Sequence, residues 1–149
     1  MDNWGIIINN DKIMTYKSFE DLDIWKLSRE FCINIYKTAS SFPKEEKYRL
    51  ADQIIRSSRS VLSNIAEGYG RFHYQENIQF CRQARGSLME TKNHLVCALD
   101  CDYISSEVFM KYDENYYVIL KKLNAYITYL KQLKEGHATK TTSNSKSTN

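Results

Sequence analysis

The stretch from Leu50 to Arg71, LADQIIRSSRSVLSNIAEGYGR, constrains the fold of this chain more than any other. At about 3.6 residues per turn, its apolar positions fall on one stripe of a helix. This stripe comprises Leu50, Ile54, Ser58, Val61 and Ile65. Arg49, Arg56 and Arg59 lie about 140 to 180° away from it. The pattern predicts an amphipathic helix that buries one face and carries arginines on the other.

Small side chains in the same stretch favour close packing against a neighbouring helix. They are Ser57, Ser58, Ser60, Ser63 and Ala66. Gly68 and Gly70 follow, and glycine accepts the left-handed conformation in which many helices end. We therefore expect the helix to stop at these glycines.

Composition favours long helices and few loops. The chain has 149 residues, enough for one domain with a buried core, and contains only five glycines and one proline. Sheet-rich sandwiches and barrels need turn residues far more often. The four cysteines form no C-x-x-C pair, and no apolar run approaches the ~18 residues of a membrane span. We expect a cytoplasmic protein with reduced thiols and no membrane association.

Three further amphipathic patterns complete the predicted fold. The first begins at Ser18, where Asp21 is placed to form a capping box, and ends before Pro43. The third helix of the chain is expected from about His73 to about Leu99, and the fourth from Ser105 or Ser106 to Gly136. Together they predict an all-α, up-down-up-down antiparallel four-helix bundle over residues 18–136.

Gly86 lies in the interior of the predicted third helix. Glycine there costs about 1 kcal/mol relative to alanine. We expect this cost to be offset by close backbone contact with a partner helix.

The two ends of the chain lack a helical pattern. Residues 1–17 are predicted to be a poorly ordered N-terminal extension, although the apolar runs on either side of Asn9-Asn10-Asp11 would also suit a small hairpin. Residues 137–149 are almost entirely Thr, Ser, Asn and Lys. They are predicted to form a disordered polar tail, because they bury too little to offset their ordering entropy.

Several motifs resemble a known family. They are Tyr16-Lys17-Ser18-Phe19-Glu20-Asp21-Leu22 with Ile24-Trp25; Gln53, Arg56, Ser60, Asn64-Ile65-Ala66-Glu67-Gly68 and Gly70-Arg71; and Phe80, Ala84-Arg85-Gly86-Ser87-Leu88 and Glu90. In this order and spacing they resemble a bacterial family of four-helix bundle proteins, some of which are encoded in intervening sequences of 23S rRNA genes. The accessory variability protein of diversity-generating retroelements is a related bundle.

The resemblance implies an assembly and a class of ligand. Related bundles form pentameric barrels with a basic surface, so we expect a homo-oligomer, and specifically a pentamer. The candidate ligands are structured RNA, other RNA or DNA, or the RNA–reverse-transcriptase assembly of a retroelement.

The sequence indicates no enzyme. It has no recognisable nucleophile motif, and Gly68-Tyr69-Gly70 follows a helix rather than preceding one, unlike a phosphate loop. His94, Cys97 and Cys101 share a helical face, but a fourth metal ligand is not evident. We therefore predict no catalytic residue, no cofactor and no metal.

The basic residues provide the main functional lead. Arginine dominates them, and its planar fork suits phosphate. The predicted nucleic-acid-binding residues are Arg49, Arg56, Arg59, Arg71, Arg82 and Arg85. Other roles stay open for three of them. Arg71 pairs with Glu67 at i, i+4; Arg85 serves packing or an ion pair beside the apolar stripe; and Arg56 is a buried structural partner of Glu67 or Glu90.

The aromatic residues provide a second lead. Eleven tyrosines, six phenylalanines and two tryptophans exceed what a four-helix core needs. They suit protein interfaces, and they also suit stacking on unpaired bases. The leading hypothesis is a non-enzymatic, oligomeric bundle that binds nucleic acid or a nucleoprotein through its arginines. The alternative is a pure protein-interaction bundle.

Overall fold

The computed structural model describes the backbone of residues 6–9, 12–15 and 18–144, and the side chains of residues 18–138. Its helices are α1 (Asp23–Ala39), α2 (Leu50–Gly70), α3 (Tyr74–Asp100) and α4 (Ser106–Asn144). Each helix contacts the next along the chain, and α4 also contacts α1, so the four close into a ring. Short connections make neighbouring helices antiparallel. The predicted all-α four-helix bundle is confirmed.

A two-stranded hairpin precedes the bundle. Strand β1 (Ile6–Asn9) pairs antiparallel with β2 (Lys12–Thr15), with Ile6 opposite Thr15. The structure thus has the small hairpin that the sequence also allowed, because isoleucines on both sides favour extended backbone and the ladder pairs it. The poor order of the extension stays a prediction. The rest of that segment, residues 1–5, 10–11 and 16–17, lies outside the described residues.

The apolar stripes of all four helices meet in one core. Its most completely buried side chains are Ile35, Ile54, Ile65, Leu88, Leu95 and Leu123. In the α2 stripe only Leu50 is partly exposed. At the start of the bundle the predicted capping box is present: the Ser18 hydroxyl accepts from the Glu20 amide, and the Asp21 carboxylate accepts from the Ser18 amide. It caps a short 3-10 turn (Phe19–Asp21) that leads into α1.

Hydroxyl groups join α2 to α3 where small residues let the helices approach. The Thr91 hydroxyl donates to Ser57 Oγ at 2.9 Å, and Ser87 donates to Ser60 Oγ at 2.9 Å. These buried or half-buried bonds satisfy groups that would otherwise be costly inside the bundle. The predicted close packing of the serine-rich stretch is confirmed.

The glycines differ from the predictions. A Cβ atom on Gly68 would lie 2.7 Å from Phe80 Cβ and 2.8 Å from Asn77 Oδ1, so Gly68 permits the close approach of α3. A Cβ on Gly86 would meet no atom within 4 Å, so the predicted backbone contact at Gly86 is wrong. No glycine among the described residues has a positive φ; after α2 the left-handed residue is Phe72, with φ 57°.

Helix α4 is longer than predicted. It passes through Gly136 and ends at Asn144, so the predicted end of the fourth helix at Gly136 is wrong. The bundle boundary at residue 136 and the disorder of residues 137–149 stay predictions. Contacts with the start of α3 stabilise this extension: Lys134 Nζ donates to Gln75 Oε1 at 2.6 Å, and the His137 ring lies 3.1 Å from the Tyr74 hydroxyl. Residues 145–149 lie outside the described residues.

Candidate nucleic-acid interface

The outer face of α2 carries three of the predicted arginines. Arg49, at the N-terminal boundary of the helix, and Arg56 and Arg59, within it, are all exposed. They lie opposite the buried stripe because that stripe faces both α1 and α3. Among the described residues no ion pair reaches Arg49 or Arg59. This part of the predicted site therefore presents guanidinium groups to solvent.

Arg56 has one weakly held partner. Its Nη1 lies 3.7 Å from Asp52 Oδ2, and the two side chains are 79% and 48% exposed. An exposed pair at this separation contributes little and is screened by salt. Glu67 and Glu90 have other partners, Arg71 at 2.7 Å and His94 at 3.5 Å. The structure thus shows Arg56 as a surface residue, and the alternative of a buried partner is wrong.

The other three predicted arginines have local partners. Arg71 pairs with Glu67, as its i, i+4 spacing indicated, and its guanidinium lies 5.0 Å from the Phe80 ring centroid. Arg82 Nη1 donates to Gln79 Oε1 at 3.0 Å. Arg85 Nη1 donates to Asn124 Oδ1 at 2.9 Å, which ties α3 to α4. These residues are held by contacts within the molecule.

The six arginines do not form one surface. Arg59 lies on the α1 side of α2, because its Cζ atom lies 5.8 Å from the Tyr36 ring centroid. Arg85 lies on the α4 side of α3. In the ring of helices these are opposite sides of the bundle. A single ligand that contacts one protomer would therefore meet either the arginines of α2 or the arginines of α3.

A groove between α1 and α2 adjoins the α2 arginines. It encloses about 480 Å³, and we call it the α1/α2 groove. Its floor is apolar and comprises Ala39, Phe42, Ala51 and Ile55. Its rim carries two exposed tyrosines and three cations, namely Tyr36, Tyr48, Lys44, Lys47 and Arg59. Asp52 is the one carboxylate among the described lining residues.

The connection before α2 builds this rim. Pro43 ends the α1 segment, and a short 3-10 turn (Lys44–Glu46) returns the chain toward the α1/α2 groove. Glu46 does not line that groove: one of its carboxylate oxygens accepts from the Leu50 amide at 3.0 Å and the other from the Tyr103 hydroxyl at 3.1 Å. That second bond raises the pKa of Tyr103. The Glu46 carboxylate is thus used to cap α2 and to bond Tyr103.

Apart from Arg59, the sequence analysis missed the residues that line this groove. Tyr36 was assigned no role, and Lys47 and Tyr48 lie in a connection without periodicity. The available signal was the run Lys47-Tyr48-Arg49, in which an aromatic residue stands between two cations. Only the turn after Pro43 shows that this run faces the end of α1.

A second surface, between α3 and α4, is apolar around one ion pair. Lys92 Nζ lies 2.6 Å from Asp113 Oδ1 and 4.4 Å from the Tyr117 ring centroid, and the bond to Asp113 raises the pKa of Lys92. Exposed apolar side chains flank this pair one turn away on either side: Met89 and Val96, which are 49% and 37% exposed. We call these residues the α3/α4 patch.

The described part of the chain contains unpaired cysteines and no cluster of metal-ligating side chains. No group of three or more His, Cys, Asp and Glu side chains there is arranged to hold a metal ion. All four cysteines are free, and burial raises the pKa of the Cys81 thiol to about 12. None of the described helices is both long and apolar enough to cross a bilayer.

Comparison with known families identifies the group to which this bundle belongs. A sequence profile of the 23S rRNA-intervening sequence protein family matches residues 20–125, well over half of the chain. The chain belongs to that family. The matched region spans α1, the α1/α2 groove, α2, α3 and the first half of α4. The predicted membership is confirmed, while the link to retroelement proteins stays a prediction.

A solved structure supports the fold of this intervening-sequence protein. It is a protein of unknown function from the S23 ribosomal protein family of Bacteroides thetaiotaomicron, with a TM-score of 0.66 and 24% identity. The match covers 70% of this chain and 95% of that one. At this identity the likeness establishes the shared fold alone. Among curated proteins, none matches this sequence.

Proposed function

We propose that this intervening-sequence protein is a non-enzymatic, oligomeric bundle that binds structured RNA through the outer face of α2. The observation that carries the proposal is the state of Arg49, Arg56 and Arg59: all are exposed, and the one acid near them is held at 3.7 Å. A phosphate group can displace such a weak partner, because guanidinium and phosphate form charge-assisted, often bidentate hydrogen bonds.

The surrounding charge supports the same ligand. Lys44 and Lys47 line the α1/α2 groove together with Arg59, and Asp52 is the single carboxylate among the lining residues. A basic patch of this kind favours a polyanion although the net charge of the whole chain is only +3. A nucleoprotein such as a reverse-transcriptase complex would present the same phosphates. RNA is therefore the ligand to test first.

We expect the wild-type protein to bind RNA with a strong dependence on salt and little dependence on sequence. Each phosphate contact releases counterions, so log K should fall against log salt with a slope of about −0.7 per contact on single strands and about −0.9 on duplex DNA. Fluorescence anisotropy with a labelled RNA, from about 50 to about 200 mM salt, measures this slope. Absence of binding at the lowest salt would reject the proposal in favour of a pure protein-interaction bundle.

The α3/α4 patch supports self-association. Met89 and Val96 expose apolar area beside Tyr117, and such side chains are enriched at protein interfaces. We propose that this patch contacts a second copy of the chain and that the closed assembly is a pentamer. Several protomers in one ring would multiply the phosphate contacts, so that a modest charge on each chain binds usefully.

Light scattering coupled to size exclusion tests the assembly. We expect a mass of several protomers for the wild type and a shift toward the monomer for Met89→Lys with Val96→Lys, because buried lysines would oppose the contact. Lysines at the exposed positions Gln83 of α3 and Ser63 of α2, which lie outside the α3/α4 patch, serve as the charge-matched control and should leave the mass unchanged. A monomeric wild type at micromolar concentration would exclude the ring.

A further inference from the structure

We propose that the α1/α2 groove binds unpaired nucleotides, with bases stacked on Tyr48 and Tyr36 and the adjoining phosphates held by Lys44, Lys47 and Arg59. This inference rests on the proposed RNA binding and specifies which RNA is preferred: single strands, loops and bulges rather than uninterrupted duplex. The juxtaposition that carries it is two exposed tyrosine rings beside three cations over an apolar floor.

Tyr48 has no structural task that explains its position. Its side chain is 84% exposed, so it contributes little to the core. The described contact of its ring is with Lys47 Nζ, 5.3 Å from the centroid. A large aromatic ring held in solvent beside a cation is suited to accept a base on its free face.

Tyr36 shows the same arrangement of an exposed ring beside a cation, on the opposite side of the groove. It projects from the last turns of α1, is 52% exposed, and lies against the Arg59 guanidinium at 5.8 Å from the ring centroid. Arg59 is thereby positioned beside the ring and still faces solvent. A single strand repeats a base next to a phosphate. This repeat matches the alternation of ring and cation along the two sides of the groove.

Size and shape favour unpaired nucleotides over a duplex. The groove is concave, and its volume of about 480 Å³ falls in the range of small-ligand pockets. In an A-form duplex the bases are stacked and paired, and their faces cannot reach a tyrosine ring on the groove rim without losing that pairing. Duplex RNA would therefore meet only the outer arginines, whereas an unpaired segment would meet both the arginines and the groove.

The test compares two RNAs and five proteins. The probes are a labelled single-stranded RNA of about 12 nucleotides and a duplex of the same length, measured by anisotropy at one low salt concentration. The proteins are the wild type, Tyr48→Ala, Tyr48→Ala with Tyr36→Ala, Tyr48→Phe and Phe72→Ala. Phe72 is a matched control because it is an aromatic residue that is 61% exposed and belongs neither to the α1/α2 groove nor to the α3/α4 patch.

We expect Tyr48→Ala to weaken single-strand binding about tenfold, since one stacked base contributes roughly that factor, and to leave duplex binding unchanged. Tyr48→Phe should bind as the wild type does, because stacking needs the ring and not the hydroxyl. Adding Tyr36→Ala should weaken single-strand binding further. Phe72→Ala should have no effect on either probe.

Each other outcome overturns the inference in a recognisable way. Unchanged single-strand binding by Tyr48→Ala, or an equal loss for the duplex, would show that the tyrosines do not read bases. If a poly-glutamate peptide displaced the labelled single strand as effectively as unlabelled RNA does, the groove would be only a general polyanion-binding surface. Failure of the wild type to bind either RNA would instead reject the proposed function and the inference together. Unchanged melting temperatures verify that the variants fold.

Discussion

Replacing Gly68 by alanine is expected to lower the free energy of unfolding by about 2 kcal/mol, which corresponds to about 4 to 8 °C in melting temperature. The new Cβ would lie 2.7 Å from Phe80 Cβ and 2.8 Å from Asn77 Oδ1. Neither neighbour can yield easily: Asn77 is fully buried, and its amide donates to the Tyr126 hydroxyl at 3.2 Å. Alanine would favour the helix by about 1 kcal/mol over glycine. The cost of moving α2 away from α3 would exceed this gain.

Gly86 supplies the matched control for this experiment. It is also helical, but a Cβ there meets nothing within 4 Å. Gly86→Ala should therefore raise the free energy of unfolding by up to about 1 kcal/mol. Thermal melts monitored by circular dichroism compare the two variants. Equal changes of the same sign would contradict the close approach of α2 and α3 at Gly68.

Changing Arg56 and Arg59 together to glutamine is expected to produce the largest loss of RNA affinity, about 10- to 30-fold near 0.1 M salt. If each arginine contacts one phosphate, the slope of log K against log salt should become shallower by about 1.4 on a single strand. Folding should be unaffected, since Arg56 is 79% exposed and its partner Asp52 is half-exposed. Anisotropy titrations over a series of salt concentrations measure both quantities.

A charge-matched double variant shows whether location matters. Arg71→Gln with Arg82→Gln removes the same charge, but it does so at residues that already bond Glu67 and Gln79. We expect this variant to keep the wild-type slope within about 0.3, with only a small loss from the lower net charge. If it flattens the slope as strongly as the α2 variant, binding depends on total charge, and the outer face of α2 has no special role.

The sequence by itself determined the class of fold and the faces of its helices. Residues recurring every three or four positions can bury a continuous stripe only as helices, and four such stripes without further elements close into a bundle. The stripe through Ile54, Val61 and Ile65 is buried as predicted. The capping box at Ser18 and the ion pair between Glu67 and Arg71 also follow from spacing alone, because both depend on contacts within one turn.

Features that depend on two helices meeting were decided only by the tertiary structure. Gly68 and Gly86 look alike in sequence, yet only Gly68 lies where α3 approaches, because register between helices is set by the packing of the whole core. Helix α4 continues beyond Gly136, where Tyr74 of α3 contacts His137, and local propensity does not include such a contact.

The candidate site likewise has one part that the sequence predicts and another that only the tertiary structure shows. Helical periodicity placed Arg49, Arg56 and Arg59 on one exposed face, since the angle between positions on a helix is fixed. It did not show that Arg85 lies on the far side of the bundle, held by Asn124. The α1/α2 groove was invisible for the same reason: Tyr36 and Tyr48 belong to different elements, and only the turn after Pro43 brings them to one rim. Local geometry fixes which residues share a helix face, whereas the packing of helices fixes which faces share a surface.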